Sequence, residues 1–402
     1  MRRVVITGQG TINALGRNVE QTLAAFRAGK SGIGEMDFTD VERLSVRLGG
    51  QVADFDPTRH FSRKELAIYD RFTQFAVLAA AEAVAQSGLD FDGELGERAG
   101  VVLGTSGGGM QTLDHNYREV FEARKNKVHP YTVPKLMSNA PVSHVSMRHN
   151  IRGPSFTVAA ACASSNHAFG QAMAMIRAGL ADVMLTGGSE SMLCFGGVKA
   201  WEGLRVMSRE ACRPFSANRS GLVQGEGAAV FVFEEYEHAR ARGADILAEI
   251  SGFAMTSDAS DIVMPNIDGP LRAIRGALAD ARLPADKIGY INAHGTGTRI
   301  NDPMECKAVS EALGAQAERV MLSSTKSMHG HIIGATSAVE LLACIMALRE
   351  GVIAPTINYQ QPDPECALDV VPNEAREARI EAVLSNAFAF GGLNAVVALE
   401  RI

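Results

Sequence analysis

Gly153-Pro-Ser-Phe-Thr-Val-Ala-Ala-Ala-Cys162-Ala-Ser-Ser-Asn-His-Ala-Phe-Gly170 sets an apolar run, a small-residue turn and a helix start in one short stretch. The run Ser155–Ala160 predicts a strand and Ser165–Ala178 a helix. A thiol at the turn between them lies near the helix N-terminus, where unpaired backbone N–H groups favour a thiolate. The thiolate is the nucleophilic form of cysteine. A small buried core cysteine fits the segment equally well, because free Cys is among the most buried residue types. The stretch alone leaves both readings open for Cys162, and it points to βα construction.

The same alternation runs through the chain. Further strands are predicted at Arg3–Gly8, Gly100–Gly104, Asp182–Thr186, Ala229–Glu234, Ile246–Gly252, Gly289–Ala293, Val320–Ser324, Ala382–Asn386 and Ala395–Glu400. Further helices are predicted at Val19–Ala28, Arg71–Ser87, Leu271–Arg282, Met304–Leu313 and Thr336–Glu350. Such alternation argues for an α/β fold. The Ala-rich stretch Ala76–Gly88 lacks a polar face over much of its length and is expected between layers. Ala174-Met-Ile-Arg-Ala-Gly179 is echoed faintly by Met346-Ala-Leu-Arg-Glu-Gly351. This suggests two similar halves, residues 1–240 and 241–402, packed without a linker.

Composition narrows the function. A chain of 402 residues with 46% hydrophobic and 21% charged content builds a large core. A net charge of −6 argues against a dedicated nucleic-acid binder. The cysteines, Cys162, Cys194, Cys212, Cys306, Cys344 and Cys366, show no CxxC and no zinc spacing, so no metal centre is expected. Met1–Gly8 reads as a first strand rather than a signal peptide, and no apolar run is long enough for a membrane span. A reduced, cytoplasmic protein is the expectation.

Three segments place polar groups after a strand and beside glycine. They are Asn292-Ala-His294-Gly-Thr296-Gly-Thr298 with Asp302 and Glu305, Ser323-Ser-Thr-Lys326-Ser-Met-His329-Gly-His331, and Ser385-Asn386-Ala-Phe388-Ala-Phe390-Gly391-Gly392-Leu393-Asn394. In α/β sheets sites form at the carboxyl ends of strands, so these loops are candidates to converge. Singly, each is as well explained by a structural turn or a core histidine. The glycine spacing matches no phosphate loop.

These motifs, with Ala161-Cys162-Ala, Gly187-Gly-Ser-Glu190, Arg213-Pro-Phe-Ser216 and Gly225-Glu-Gly227, follow one order along the chain. Over essentially its whole length the sequence resembles the β-ketoacyl-acyl carrier protein synthases of the elongating, decarboxylating type. The resemblance implies the thiolase fold, with two similar halves in a five-layered α-β-α-β-α arrangement. It implies an acyltransferase that holds an acyl chain on a cysteine and condenses it with malonyl-carrier protein, with loss of CO2.

By resemblance, Cys162 is the nucleophile. His294 and His331 donate hydrogen bonds to the malonyl thioester oxygen. Lys326 supports the pair through Glu340 or Asp302. The backbone N–H groups of Cys162 and Phe390 form the oxyanion hole, and Phe390 gates the acyl pocket. Thr296 and Thr298 hold the pantetheine arm, while Phe388, Gly391 and Trp201 line the substrate path. Gly107 falls where some relatives carry a bulky residue, which implies room for a medium or long chain. Asp302, Glu305, Glu340 and Asn386 are supporting residues. Asn292, Glu340, Ser385 and Asn386 match a cluster that holds a structural monovalent cation in some relatives. No other cofactor is implied, since the substrates carry their own phosphopantetheine. The implied partners are a second copy of the chain and an acidic acyl carrier protein. The carrier would meet Arg63, Lys64, Arg124, Lys125, Lys127 and Arg205.

Two positions depart from the family pattern: His329 stands where Thr is usual, and Leu393 where Thr follows the glycine pair. A thiolase needs a second cysteine in the Ala387–Leu393 loop, which has none. Initiating synthases pair Cys with His and Asn, not with two His. Chain-length partner subunits lack the nucleophilic cysteine that this chain retains.

Overall fold

The computed structural model describes residues 1–402. The N-terminal half supplies β1 (Val4–Asn13), β2 (Ala99–Gly104), β3 (Ser155–Val158), β4 (Val183–Glu190) and β5 (Gly227–Glu235). The C-terminal half supplies β6 (Ala248–Ser257), β7 (Ile288–Asn292), β8 (Met321–Ser323), β9 (Ala382–Ala389) and β10 (Leu393–Glu400). The strand order is β8-β7-β9-β10-β6-β1-β5-β4-β2-β3. It reads as one pattern used twice. The first strand of each half pairs antiparallel with the last, and the last pairs antiparallel with the fourth or its counterpart. Two parallel strands then complete each half. The halves join where Val4–Ile6 of β1 pairs with Ile250–Ala248 of β6.

Helices α1 (Arg71–Ser87), α2 (Ser164–Arg177), α3 (Asp268–Ala281), α4 (Asn301–Leu313), α5 (Lys326–His329) and α6 (Thr336–Glu350) position the site. The sheet wraps around α2 and α6, which pack on strands of both halves. Helix α1 covers the outer face of the first half, and α3 and α4 cover that of the second, giving five layers. Every residue of α6 from Thr336 to Leu348 is buried, as a helix in the middle layer requires.

The Ala-rich stretch expected between layers lies instead in the outer layer. Its second side is covered by the helix Ala140–Arg148, which is why it needs no polar face. Small side chains let it sit close to the sheet. A Cβ on Gly8 or Gly10 of β1 would come 2.2 or 2.1 Å from the carbonyl oxygens of Ala83 or Ala79. No helix is long and apolar enough to cross a membrane.

Candidate active site

Cys162 follows β3, His294 follows β7, Lys326 follows β8 and Phe390 follows β9. These parallel strands deliver the three C-terminal loops opposite the cysteine turn. The turn at Cys162 is forced. Ala161 sits at φ 46°, a left-handed conformation uncommon outside glycine. The Ser164 hydroxyl holds it there: the Ala160 N–H donates to Ser164 Oγ at 2.9 Å, and Oγ donates to the Ala161 carbonyl at 2.7 Å. The sulfur therefore stands just before α2.

The thiolate expected at that helix terminus is not the resting form. Cys162 is only 5% exposed. Burial pushes its thiol up to about 12, although the Lys326 charge and the N–H groups of Phe390 and Cys162 pull the other way. A helix terminus contributes about 0.3–1 kcal/mol, up to about 2 when partly buried. Full desolvation shifts a group by several pKa units and wins. Alkylation of Cys162 is expected to accelerate about tenfold per pH unit from pH 7 to 9. A rate that levels off below pH 7 would instead reveal a resting thiolate.

The His294 turn is clamped from α4. Both oxygens of Glu305 accept backbone N–H groups, from His294 at 2.8 Å and Gly295 at 2.7 Å. The Asn386 amide donates to the same carboxylate at 3.1 Å. Lys326, fully buried, donates to the Ala293 carbonyl at 3.4 Å and to Glu340 at 2.7 Å. Of the two acids considered for it, Glu340 is the partner. Asp302 instead accepts N–H groups of Phe215 at 2.8 Å and Gly297 at 3.2 Å, shaping the loop that carries Thr296 and Thr298. Those two hydroxyls lie 2.9 Å apart on the cavity wall.

His331 has a defined tautomer. The Ile333 N–H donates to its Nδ1 at 3.2 Å, so the ring proton sits on Nε2. Thr336 Oγ1 lies 2.7 Å from the same nitrogen. Ile333 pays in strain: a β-branched residue at φ 46° is an outlier of the kind that collects at functional sites. The His294 and His331 rings meet edge to face at 5.5 Å. Burial, reinforced by the Lys326 charge, holds both well below the usual imidazole range. Both are neutral at neutral pH.

Cys162, His294, His331, Thr296, Thr298 and Phe388 line one cavity of about 350 Å³. Phe390 stacks on Trp201 at 5.8 Å across its wall, and Gly391 and Gly392 follow at φ 82° and 66°. Arg205 stands at the mouth. Gly107 does not reach this cavity. A Cβ there would come 2.9 Å from the Met192 sulfur, so the space it leaves is filled by the Met192 side chain, which also packs against the small apolar cluster that contains Cys162. Sequence reading missed Met192, and it placed Glu190 in a motif without giving it a role. The Glu190 carboxylate accepts from Thr105, Ser106, Gly107 and Gly334, tying the Gly107 loop to the segment after His331.

The cluster matched to a cation divides between two faces. Ser385 and Asn292 pair in register, so they share the face toward α6 and Glu340. Asn386, one residue on, points the other way to Glu305. Asn292 Oδ1 and Ser385 Oγ on one face, and Asn386 Oδ1 on the other, are buried oxygens without a hydrogen-bond partner. Neutral oxygens beside a carboxylate suit a weakly bound monovalent cation.

A duplicated strand pattern in a five-layered fold, with a cysteine from one half facing two imidazoles and a buried lysine from the other, defines the thiolase-like class in a Cys-His-His form. The model of the beta-ketoacyl synthase N-terminal domain matches residues 1–239, and that of the C-terminal domain residues 247–360. The chain belongs to the beta-ketoacyl synthase family. It is 48% identical to nodulation protein E of Rhizobium leguminosarum bv. trifolii, over 100% of both chains. It is 38% identical to 3-oxoacyl-[acyl-carrier-protein] synthase 2 of Staphylococcus aureus strain N315, covering 100% of this chain and 98% of that one. The solved ishigamide ketosynthase/chain length factor superposes with a TM-score of 0.95 at 36% identity, over 100% and 99% of the two chains.

Proposed function

We propose that the protein is an elongating 3-oxoacyl-carrier protein synthase that works through Cys162, His294 and His331. The observation that carries this reading is one cavity holding a buried thiol, backbone N–H groups beside its sulfur, and a fixed Nε2–H donor. The Cys162 sulfur attacks the acyl thioester, and its proton leaves with the pantetheine sulfur. The N–H groups of Cys162 and Phe390 stabilise the tetrahedral oxyanion. Malonyl thioester then binds with its carbonyl oxygen toward His294 and the His331 Nε2–H. Loss of CO2 leaves an enolate that these neutral donors stabilise. The enolate carbon attacks the acyl-cysteine, the C–S bond breaks, the Cys162 thiolate takes a proton from water, and a chain two carbons longer departs. Lys326 fixes Ala293 and thus the His294 turn; it touches neither substrate. A monovalent cation held by Asn292, Ser385 and Glu340 would add fixed positive charge beneath this turn.

Incubation with acyl- and malonyl-carrier protein tests the reading: a 3-oxoacyl product supports it, and its absence removes it. Met192 is expected to set chain length. Met192→Ala should shift the acyl group captured on Cys162 roughly two carbons longer, each buried CH2 being worth about 0.8 kcal/mol. An unchanged distribution in mass spectra of the acyl-enzyme would acquit Met192.

The carrier protein is acidic, and Arg63, Lys64, Arg124, Lys127 and Arg205 are exposed to meet it, with Arg205 at the cavity mouth. Lys125 is paired with Glu119 and is the weakest of the set. The protein pairs as a homodimer through β3. That strand is an unpaired sheet edge, exposed Met147 lies on the helix Ala140–Arg148 packed beside it, and exposed Val133 lies on Thr132–Leu136, which packs against that helix. Residues 1–240 and 241–402 act as two halves of one unit, with the site at their junction. Six free cysteines, all buried, fit a reducing cytoplasm.

A further inference from the structure

Between Lys326 and His331 the chain makes one helical turn, α5, and reverses at Gly330, φ 75°. The backbone of this turn is gripped tightly. The His331 N–H donates to Val223 at 2.6 Å, and its carbonyl accepts from Gly225 at 2.8 Å. The His329 carbonyl is wedged between Gly50 and Gly225, where a Cβ on either would come within 2.1 or 2.5 Å of it.

The His329 side chain is fully buried and lines no part of the catalytic cavity. Both of its ring nitrogens are engaged. Nδ1 lies 2.7 Å from the Gly330 carbonyl oxygen, which only accepts, so Nδ1 carries the proton. Nε2 is then an acceptor, and the Thr325 hydroxyl donates to it at 3.0 Å. The ring packs edge-on against Phe26 at 6.2 Å. One planar side chain therefore ties the residue before Lys326 to the residue before His331. Lys326 in turn holds Ala293, the residue before His294.

We infer that His329 is a positioning residue: a two-ended brace that fixes the spacing of His331 and Lys326, and through Lys326 that of His294. A short hydroxyl side chain lacks the reach to make both ties at once. Burial pushes the His329 imidazole down to about 3, so the brace keeps its tautomer across the working pH range. The two half-reactions feel it unequally. Acyl capture uses Cys162 and the backbone N–H groups of Cys162 and Phe390, which sit on the loops after β3 and β9 and not on the braced turn. Decarboxylation needs both imidazoles on one carbonyl oxygen, and a misplacement of about 1 Å costs on the order of 100-fold.

The inference rests on the decarboxylating role proposed for the histidine pair, and the test separates the two. Acyl transfer from an acyl thioester to Cys162 and CO2 release from malonyl-carrier protein are measured separately. His329→Phe keeps the ring and removes both ties. It should lower kcat for decarboxylation about 10- to 100-fold, with KM and acylation changed less than about threefold. His329→Asn, whose amide overlies Nδ1, should recover part of the loss through the Gly330 tie. Thr325→Val removes only the other tie and stands in should the phenylalanine variant fail to fold. Equal losses in both half-reactions, or none in decarboxylation, would overturn the brace. A wild-type protein that acylates Cys162 but releases no CO2 would overturn the histidine role first, and the brace with it.

Discussion

Cys162→Ala is expected to lower condensation by about 10⁴-fold or more, the scale seen when an enzymatic nucleophile is removed, while malonyl decarboxylation continues. The substitution deletes one sulfur and leaves the N–H of residue 162, the α2 terminus and the Ser164 ties in place. Its cost to the fold is about 1 kcal/mol, that of a small buried apolar group. Without the sulfur no acyl chain is held opposite the histidines, so the enolate formed there takes a proton from water instead of attacking. The expected signature is CO2 release without a 3-oxoacyl product. Residual condensation within tenfold of wild type would mean that the chain is carried elsewhere. Loss of CO2 release together with condensation would mean that Cys162 serves the malonyl step as well. The same pair of assays excludes a partner subunit, which would show neither activity before mutation.

Much of this was legible in the sequence because the hydrophobic pattern and the strand-end loops agree. All ten strands of the sheet were expected near their observed places, and the helices Arg71–Ser87 and Thr336–Glu350 at their observed ends. What stayed hidden depends on depth and on facing. The helix terminus beside Cys162 can be read from residues 155–178, but the burial that outweighs it cannot. Glu340 and Asp302 are equivalent acids on paper; only the packing of α6 against β7 and β9 brings Glu340 to Lys326. The split between Ser385 and Asn386 was available from strand alternation, since adjacent residues face opposite ways. Met192 sits in Ser-Met-Leu-Cys, where no period signals that it reaches back toward Gly107. Ile333 gives no warning either, because nothing in an isoleucine announces a left-handed conformation.

The Lys326–Glu340 pair should show the largest stability effects, and loss of the lysine should make them depend on pH. Both side chains are essentially inaccessible to water. Breaking such a pair leaves one buried charge uncompensated and costs about 3–5 kcal/mol. In Lys326→Met the survivor is a carboxyl that burial already pushes up to about 7, against an ordinary value of 4.5, even with the ammonium beside it. The folded variant therefore holds a proton that the unfolded chain releases above about 4.5. Its stability falls as pH rises from there through 7, so the variant is better tolerated at pH 5.5 than at pH 8. In Glu340→Leu the survivor is an ammonium. Its charge is then buried without a partner, and that sets the cost of the substitution. The double variant Lys326→Met/Glu340→Leu removes both charges and is expected to recover to within about 1 kcal/mol of wild type, because an apolar pair of similar volume replaces a buried ion pair with little loss. It should not recover decarboxylation, since no ammonium then holds the Ala293 carbonyl before His294. Urea midpoints for the four proteins at pH 5.5 and pH 8 close the cycle. A Lys326→Met variant as stable at pH 8 as at pH 5.5 would show that burial does not hold the Glu340 proton. A double variant as active as wild type would remove Lys326 from the positioning of His294.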